Sequence, residues 1–319
     1  MSKNTLGIPS VDLSEFTKGN SEKRKKFVQE LGHAYETVGF VAVKNHGIPD
    51  SVVNNLYKLS QAFFSLSEEQ KKSYEIPGGA GQRGYTSFGK EQAKGFDAPD
   101  LKEFFQFGQT VLDGDAIKDE YPENVKVKDV AGFDDTFYQA YRHFETSGGH
   151  LLTAIAIYLG LDEIYFEDHV KNGNSILRAI HYPPIQQEAK SAVRAEQHED
   201  INLITLLVGA SADGLQILNK NNEWVSVTAL PDQIVVNVGD MLQRLTNHRL
   251  KSTTHRVVNP PRELWGTSRY SIPFFLHPRS DMKLNCLASC VTEKDPLAYE
   301  PITAGEYLNE RLREIGLKK

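Results

Sequence analysis

The sequence is poor in the features that mark several large protein classes. Only two cysteines, Cys286 and Cys290, occur in 319 residues, which excludes a disulfide framework of the kind that staples small secreted domains. A zinc site built on them would need two more thiolate or imidazole ligands at finger-like spacing, and none follows. No run approaches the roughly 18 to 20 apolar residues that a membrane-spanning helix needs, and the opening MSKNTLGIPSVDL lacks the apolar stretch of a secretory signal. Basic excess is missing too. The 36 Lys and Arg face 42 Asp and Glu, a net charge of −6, so no clustered cationic field invites nucleic acid or an anionic membrane. What these absences leave is a cytoplasmic protein with a small-molecule partner, no nucleic acid and no membrane, its oligomeric state open.

With 39% hydrophobic residues the chain can bury a sizeable core. No repeat or low-complexity linker divides it, but its halves differ in texture, which predicts two modules sharing one interface, residues 1–125 and 126–319. The first half opens with a short alternating piece, Ile8 to Leu13. An amphipathic helix then runs from Ser21 to Val38 through Phe27, Leu31 and Tyr35, and Gly39 ends it. A strand over Phe40 to Lys44 follows, then a turn at Asn45-His46-Gly47-Ile48-Pro49 and a second helix from Ser51. Ser67-Glu68-Glu69-Gln70 signals another helix start, and Gly78, Gly79, Gly81 and Gly84 mark an irregular loop that could serve as a lid. A helical period persists from Val130 to Leu159, with Gly148-Gly149 a place to kink or split it. From Ile176 the pattern changes to short strands separated by turns: Ile176 to Tyr182, Leu203 to Val208, Leu215 to Leu218, Val225 to Val227, Ile234 to Val238, Met241 to Leu245, Thr253 to Val258 and Tyr270 to Leu276. Such spacing suggests a sandwich or barrel, a jelly roll among them. A last helix covers Ala304 to Ile315.

Chemistry concentrates in that second half. In Gln197-His198-Glu199-Asp200, strand parity lets His198 and Asp200 share a face while Glu199 points away. His255 lies 57 residues on (255 − 198), a distance that a jelly roll can close. Two imidazoles and one carboxylate on one side of an ion form the facial triad of Fe(II) oxygenases, with open positions for O2. Zinc can use the same donors. His181, His248 and His277 read as ordinary hydrogen-bonded histidines. In Arg269-Tyr270-Ser271, Arg269 and Ser271 share a face, and a guanidinium beside a hydroxyl suits the far carboxylate of a dicarboxylate whose other end reaches the metal. Tyr182, before Pro183-Pro184, could add a phenol. In the first half Arg83, Tyr85 and Phe104 are substrate candidates.

With those residues in view, the chain resembles the isopenicillin N synthase-like family of Fe(II)- and 2-oxoglutarate-dependent oxygenases over nearly its whole length. The resemblance rests on Ile8-Pro9-Ser10-Val11-Asp12-Leu13, Gly39-Phe40 through His46-Gly47-Ile48-Pro49, and Phe63 to Lys71. In the second half it rests on Tyr182-Pro183-Pro184, His198-Glu199-Asp200, Leu203 to Leu207, Asn237-Val238-Gly239-Asp240, His255-Arg256-Val257 and Arg269-Tyr270-Ser271. It implies an α+β fold, a double-stranded β-helix (jelly-roll) core with flanking α-helices. It also implies iron at the positions matching His198, Asp200 and His255, and a 2-oxoglutarate carboxylate at those matching Arg269, Ser271 and Tyr182. The expected activity is O2-dependent oxidation of a C–H bond in a small organic molecule, releasing succinate and CO2. One departure is Ile180-His181 before Tyr182, where plant members usually show Asn-Tyr. Two competing readings stand beside this one: an oxidase of the isopenicillin N synthase type that needs no 2-oxoglutarate, and a non-catalytic jelly-roll binding module.

Overall fold

The computed structural model describes residues 8–91, 100–110, 112, 114, 118, 120–186, 193–209, 214–227, 232–315, 317 and 318. In chain order the first half contains β1 (Ser10–Asp12), α1 (Leu13–Thr17), α2 (Ser21–Thr37), β2 (Phe40–Lys44), α3 (Asp50–Phe64), α4 (Glu68–Lys72), β3 (Gly84–Thr86) and β4 (Glu103–Gly108). The long α5 (Phe133–Tyr158) and the short α6 (Glu167–Val170) lead to β5 (Ile176–Tyr182), β6 (Ala195–His198), β7 (Ile204–Val208), β8 (Leu215–Leu218), β9 (Trp224–Ser226) and β10 (Gln233–Val238). Then come α7 (Asp240–Leu245), β11 (His255–Val257), β12 (Arg269–Leu276) and α8 (Ala304–Glu314).

Local chemistry accounts for most helix boundaries. Asn20 caps α2 by accepting from the Lys23 amide, and Gly39 stops it in a left-handed turn with φ of 75°. Ser67 and Gln70 form a reciprocal capping box on α4, as Thr303 and Glu306 do on α8. Gly148-Gly149 does not split α5, which runs unbroken from Phe133 to Tyr158. The glycine there serves packing: a Cβ on Gly148 would lie 2.3 Å from Leu276 Cδ1, so its absence lets the helix lie close on the sheet.

The strands form an eight-stranded sheet in the order β1-β2-β10-β7-β12-β5-β4-β3 and a four-stranded sheet in the order β6-β11-β8-β9. Strands from both halves of the chain share the larger sheet. Alternation along its strands decides which side each residue faces. On β12, Ile272, Phe274 and Leu276 join the main core with α5 residues such as Tyr141, Phe144 and Leu152, while Arg269, Ser271, Pro273 and Phe275 face the smaller sheet. On β5, Leu177 and Ala179 face the helices, and Arg178, Ile180 and Tyr182 face inward. The result is the double-stranded β-helix with flanking helices that the sequence implied.

One expected strand is a helix. Met241 to Leu245 is α7, beginning after Gly239, because Met241, Leu242 and Leu245 recur at helical rather than alternating spacing and bury one face.

Candidate active site between the two sheets

His198 ends β6 and His255 begins β11, and the two are direct cross-strand partners in an antiparallel pair. That pairing closes the gap in sequence and sets the two ring centroids 4.4 Å apart. Asp200 arrives differently. Strand β6 stops at His198, so parity does not aim the carboxylate. Its Oδ2 instead accepts hydrogen bonds from Thr205 Oγ1 at 2.6 Å and Asn237 Nδ2 at 2.8 Å, a brace from β7 and β10 that leaves Oδ1 turned to the histidines. Oδ1 lies 3.9 Å from His198 Nε2 and 3.8 Å from His255 Nε2. The three donors lie within 4.8 Å of one another, and no other such group of His, Cys, Asp or Glu occurs among the described residues.

The chemistry of these donors fits a divalent transition metal. Each histidine engages a backbone carbonyl through Nδ1, His198 that of Glu196 at 2.6 Å and His255 that of Thr253 at 3.1 Å. This fixes the tautomer and presents Nε2 as the lone-pair donor. Burial, and then the neighbouring His255, pushes the His198 imidazole down to about 4, so it is neutral at pH 7. Burial alone would raise the Asp200 carboxyl, but the histidines and the hydrogen bonds from Asn237 and Thr205 outweigh it and hold the carboxyl low. Two imidazoles and one carboxylate are a set suited to Fe(II).

Two cavities meet at this triad. The inner one, about 80 Å³, is walled by Tyr182, Arg269 and Ser271 together with His198, Asp200 and His255. The structure thus brings all six of these sequence-predicted residues to one space. Arg269 and Tyr182 are cross-strand partners, and the buried guanidinium lies 4.9 Å from the phenol ring centroid. The outer cavity, about 370 Å³, is bounded by Gln82, Gln106, Arg178, Phe275 and His277 on one side and by Leu308, Arg311 and Leu312 of α8 on another. Lys102, Arg178, Phe275, His198 and Asp200 line both. Lys102 is itself held by Asp100 at 2.8 Å and Glu91 at 3.2 Å.

The first-half substrate candidates fare differently. Arg83 lines neither cavity: its guanidinium packs over Gly108, whose missing side chain makes room for it, and burial pushes it down to about 10. Tyr85 donates its phenol hydrogen to Glu103 and packs on Phe63, away from both cavities. Phe104 clusters with Ile180, Tyr182, Ala195 and Val257, beneath the Arg178 guanidinium at 4.3 Å. It is wall rather than lining. Glu199, expected to point away from the triad, belongs to the outer cavity and accepts from Thr254 Oγ1 at 2.8 Å.

Several lining residues escaped sequence reasoning. Arg178 and Phe275 carry a usable signal, since they stand on the same faces as Tyr182 and Ser271 by the period of two. His277, read as an ordinary histidine, borders the outer cavity. Burial pushes it down to about 4, and its Nδ1 has no partner. Gln82 Oε1 is likewise buried and unpartnered. Nothing in the α8 sequence announces that it covers a cavity.

Comparison with known proteins agrees with this geometry. Residues 8–128 match the family described as non-haem dioxygenase in morphine synthesis N-terminal, and residues 173–278 match the 2OG-Fe(II) oxygenase superfamily. A 2-oxoglutarate-Fe(II) type oxidoreductase of Metarhizium majus is 30% identical over 96% of this chain and 94% of its own. Among solved structures, a 2OG-Fe(II) oxygenase family protein from Caulobacter crescentus superimposes with a TM-score of 0.88 at 42% identity, covering 98% of this chain and 100% of that one. A Neurospora crassa protein solved with α-ketoglutarate and thymine has a TM-score of 0.85 at 30% identity, covering 98% of each chain.

Proposed function

The chain belongs to the 2OG-Fe(II) oxygenase superfamily, and we propose the following division of labour within it. His198, Asp200 and His255 hold the iron, Arg269, Ser271 and Tyr182 hold the far carboxylate of 2-oxoglutarate, and substrate occupies the outer cavity. The protein is a non-haem Fe(II)- and 2-oxoglutarate-dependent dioxygenase. Bound together, Fe(II), 2-oxoglutarate and O2 supply the oxidation: one oxygen atom enters a substrate C–H bond, the other enters succinate, and CO2 leaves. What this chain contributes is geometry and exclusion of water.

The observation that carries the reading is that Arg269 and Ser271 reach the same small buried cavity as the triad. A forked guanidinium and a hydroxyl at one end, with metal donors at the other, suit a short molecule that is a carboxylate at one end and a chelator at the other. In the same reading residues 1–125 form the N-terminal module and 126–319 the catalytic domain, in a cytoplasmic setting where Cys286 and Cys290 stay reduced.

The substrate side can be read more finely. Phe275 lines both cavities, with the Arg178 guanidinium 5.1 Å from its ring centroid, and Gln82 and His277 each contribute a buried polar atom without a partner. Such atoms are costly unless something bonds to them. A flat, uncharged heterocycle bearing N–H and C=O groups meets both needs. Thymine, found in the Neurospora crassa complex, is a molecule of that kind. Such a ring should stimulate succinate release where aliphatic acids do not, and the reverse order would redirect the search.

The decisive experiment is an anaerobic titration of Fe(II)-loaded protein with 2-oxoglutarate, read by the visible charge-transfer band of a chelated keto acid. A saturating band is expected in the parent. Arg269→Leu should weaken it while leaving Fe(II) affinity nearly intact, because the guanidinium meets only the far carboxylate. Equal loss of iron and cosubstrate would sink the assignment, and iron binding without any band would favour an oxidase that uses O2 alone.

A further inference from the structure

Arg194 precedes β6 and is 1% exposed, as buried as Arg269. A guanidinium taken out of water normally sits against a carboxylate, because an unpaired buried charge costs several kcal/mol. Arg194 has none: no ion pair involves it among the described residues. Its Nη2 donates to the Thr267 carbonyl at 3.1 Å, and its Nε has no partner at all. Burial and the nearby Arg269 both act against its charge.

Its neighbours give the unpaired charge a meaning. The Arg194 guanidinium lies 5.9 Å from the Tyr182 ring centroid, and that of Arg269 lies 4.9 Å from the same ring. The next residue, Ala195, lines the inner cavity beside Tyr182, Arg269 and Ser271. The Thr267 carbonyl that steadies Arg194 stands two residues before Arg269, so one turn positions both cations. Arg269 stands close enough to act against the Arg194 charge, which adds to the cost of leaving Arg194 without an anion. One guanidinium fork, a hydroxyl and a phenol already match the about four lone-pair sites of a carboxylate, so a second guanidinium acts on it as a neighbouring charge rather than through a further directed bond.

We propose that Arg194 is a second cation for the far carboxylate of the keto acid, acting with Arg269, Ser271 and Tyr182 and setting the preference for a dicarboxylic over a monocarboxylic 2-oxo acid. The inference rests on the inner cavity being the 2-oxoglutarate site. Arg194 itself lines neither cavity, so it acts on the cosubstrate's non-reacting end as a charge beside Tyr182 and Ala195, and its signature is selectivity in binding rather than loss of chemistry.

The test compares two five-carbon acids on the Fe(II)-loaded protein without O2: 2-oxoglutarate, and 2-oxopentanoate, which lacks the far carboxylate. Dissociation constants are read from the charge-transfer band for the parent and for Arg194→Gln, whose amide can still donate to Thr267. Loss of a neighbouring charge in a buried site predicts about tenfold weaker 2-oxoglutarate binding. For 2-oxopentanoate the change should stay under about twofold, and Fe(II) affinity should be unchanged. Equal weakening of both acids would show that Arg194 only supports the scaffold and would overturn the proposal, as would no weakening of either. Arg194→Lys, which keeps the charge without the fork, guards against a folding failure: a smaller loss confined to the dicarboxylate is expected, and a loss shared by both acids overturns the idea. A parent that shows no band with 2-oxoglutarate, or no preference between the acids, overturns the cosubstrate reading itself and Arg194's role with it.

Discussion

Thr205→Val isolates the brace behind the metal-binding carboxylate. The hydroxyl of Thr205 donates to Asp200 Oδ2 at 2.6 Å, and Asn237 donates to the same oxygen at 2.8 Å. Valine keeps the shape and removes one of these two bonds. A hydrogen bond to a charged group contributes about 1.5–3 kcal/mol, and here it is made inside the protein, where no water replaces it. Part of the loss falls on the fold, because Asn202 Nδ2 also donates to this hydroxyl at 3.1 Å. The rest falls on the orientation of Oδ1 toward the two Nε2 atoms, and partners of this kind change metal affinity by roughly tenfold to a hundredfold. Converted, that is about 1.4–2.7 kcal/mol, the size of one such bond. The assay is Fe(II) binding by anaerobic calorimetry beside the thermal midpoint of the metal-free protein. Expected are a weaker iron constant in that range and a metal-free midpoint lowered by a few degrees. Iron affinity within twofold of the parent, in a folded variant, would refute the idea that the brace aims Asp200.

Other consequences follow from the same geometry. His198→Ala should abolish both iron binding and succinate release while the metal-free fold persists, and oxidation retained by that variant would contradict the triad. His277 is held by burial at about 4 against an ordinary 6.5, so in between the unfolded chain binds the extra proton. Its contribution to stability is therefore complete above about pH 6.5 and is lost as pH falls toward 4, by at most about 3 kcal/mol. Urea midpoints of the metal-free protein from pH 7.5 to 4.5 should show that slope together with a like contribution from His198, also held at about 4, and His277→Gln should reduce it; an unchanged slope would assign the acid limb to other groups. Gly32→Ala would set a Cβ 2.2 Å from the Tyr158 ring where α2 meets α5. Overpacking there should cost about 1–3 kcal/mol in urea unfolding without altering iron affinity, and a neutral result would mean that the ring moves aside freely.

How much of the fold and the site is legible in the sequence depends on whether a residue's direction follows from its own strand. Strand parity alone pairs Arg269 with Ser271, and the fold keeps them on one face of β12. His255 can be matched to His198 only because short strands and turns already point to a jelly roll. Asp200 reaches the expected place for an unforeseen reason, since β6 ends before it and side chains from β7 and β10 hold it. Met241 to Leu245 misleads because five residues rich in Met and Leu are too few to separate helix from strand by periodicity, and only Gly239 ahead of them hints at a helix start.

The residues that escaped belong mainly to the outer cavity, and the fold explains why. The inner cavity is built mainly by strands whose partners fix the side chains: Arg269 opposite Tyr182, His255 opposite His198. The outer cavity is closed by Gln82 from the segment before β3, by Glu91, and by α8 from the far end of the chain. No periodicity links those segments, so a sequence pattern cannot assemble them. The same difference divides the chemistry. Strand-held groups face the iron and the keto acid, which any member of the superfamily needs in one arrangement, whereas turns and a terminal helix complete the substrate side beyond the strand residues Gln106, Arg178 and Phe275. Changing residues in those segments perturbs no strand register, so this scaffold can exchange one substrate for another while the triad and the carboxylate anchor stay where the sheets hold them.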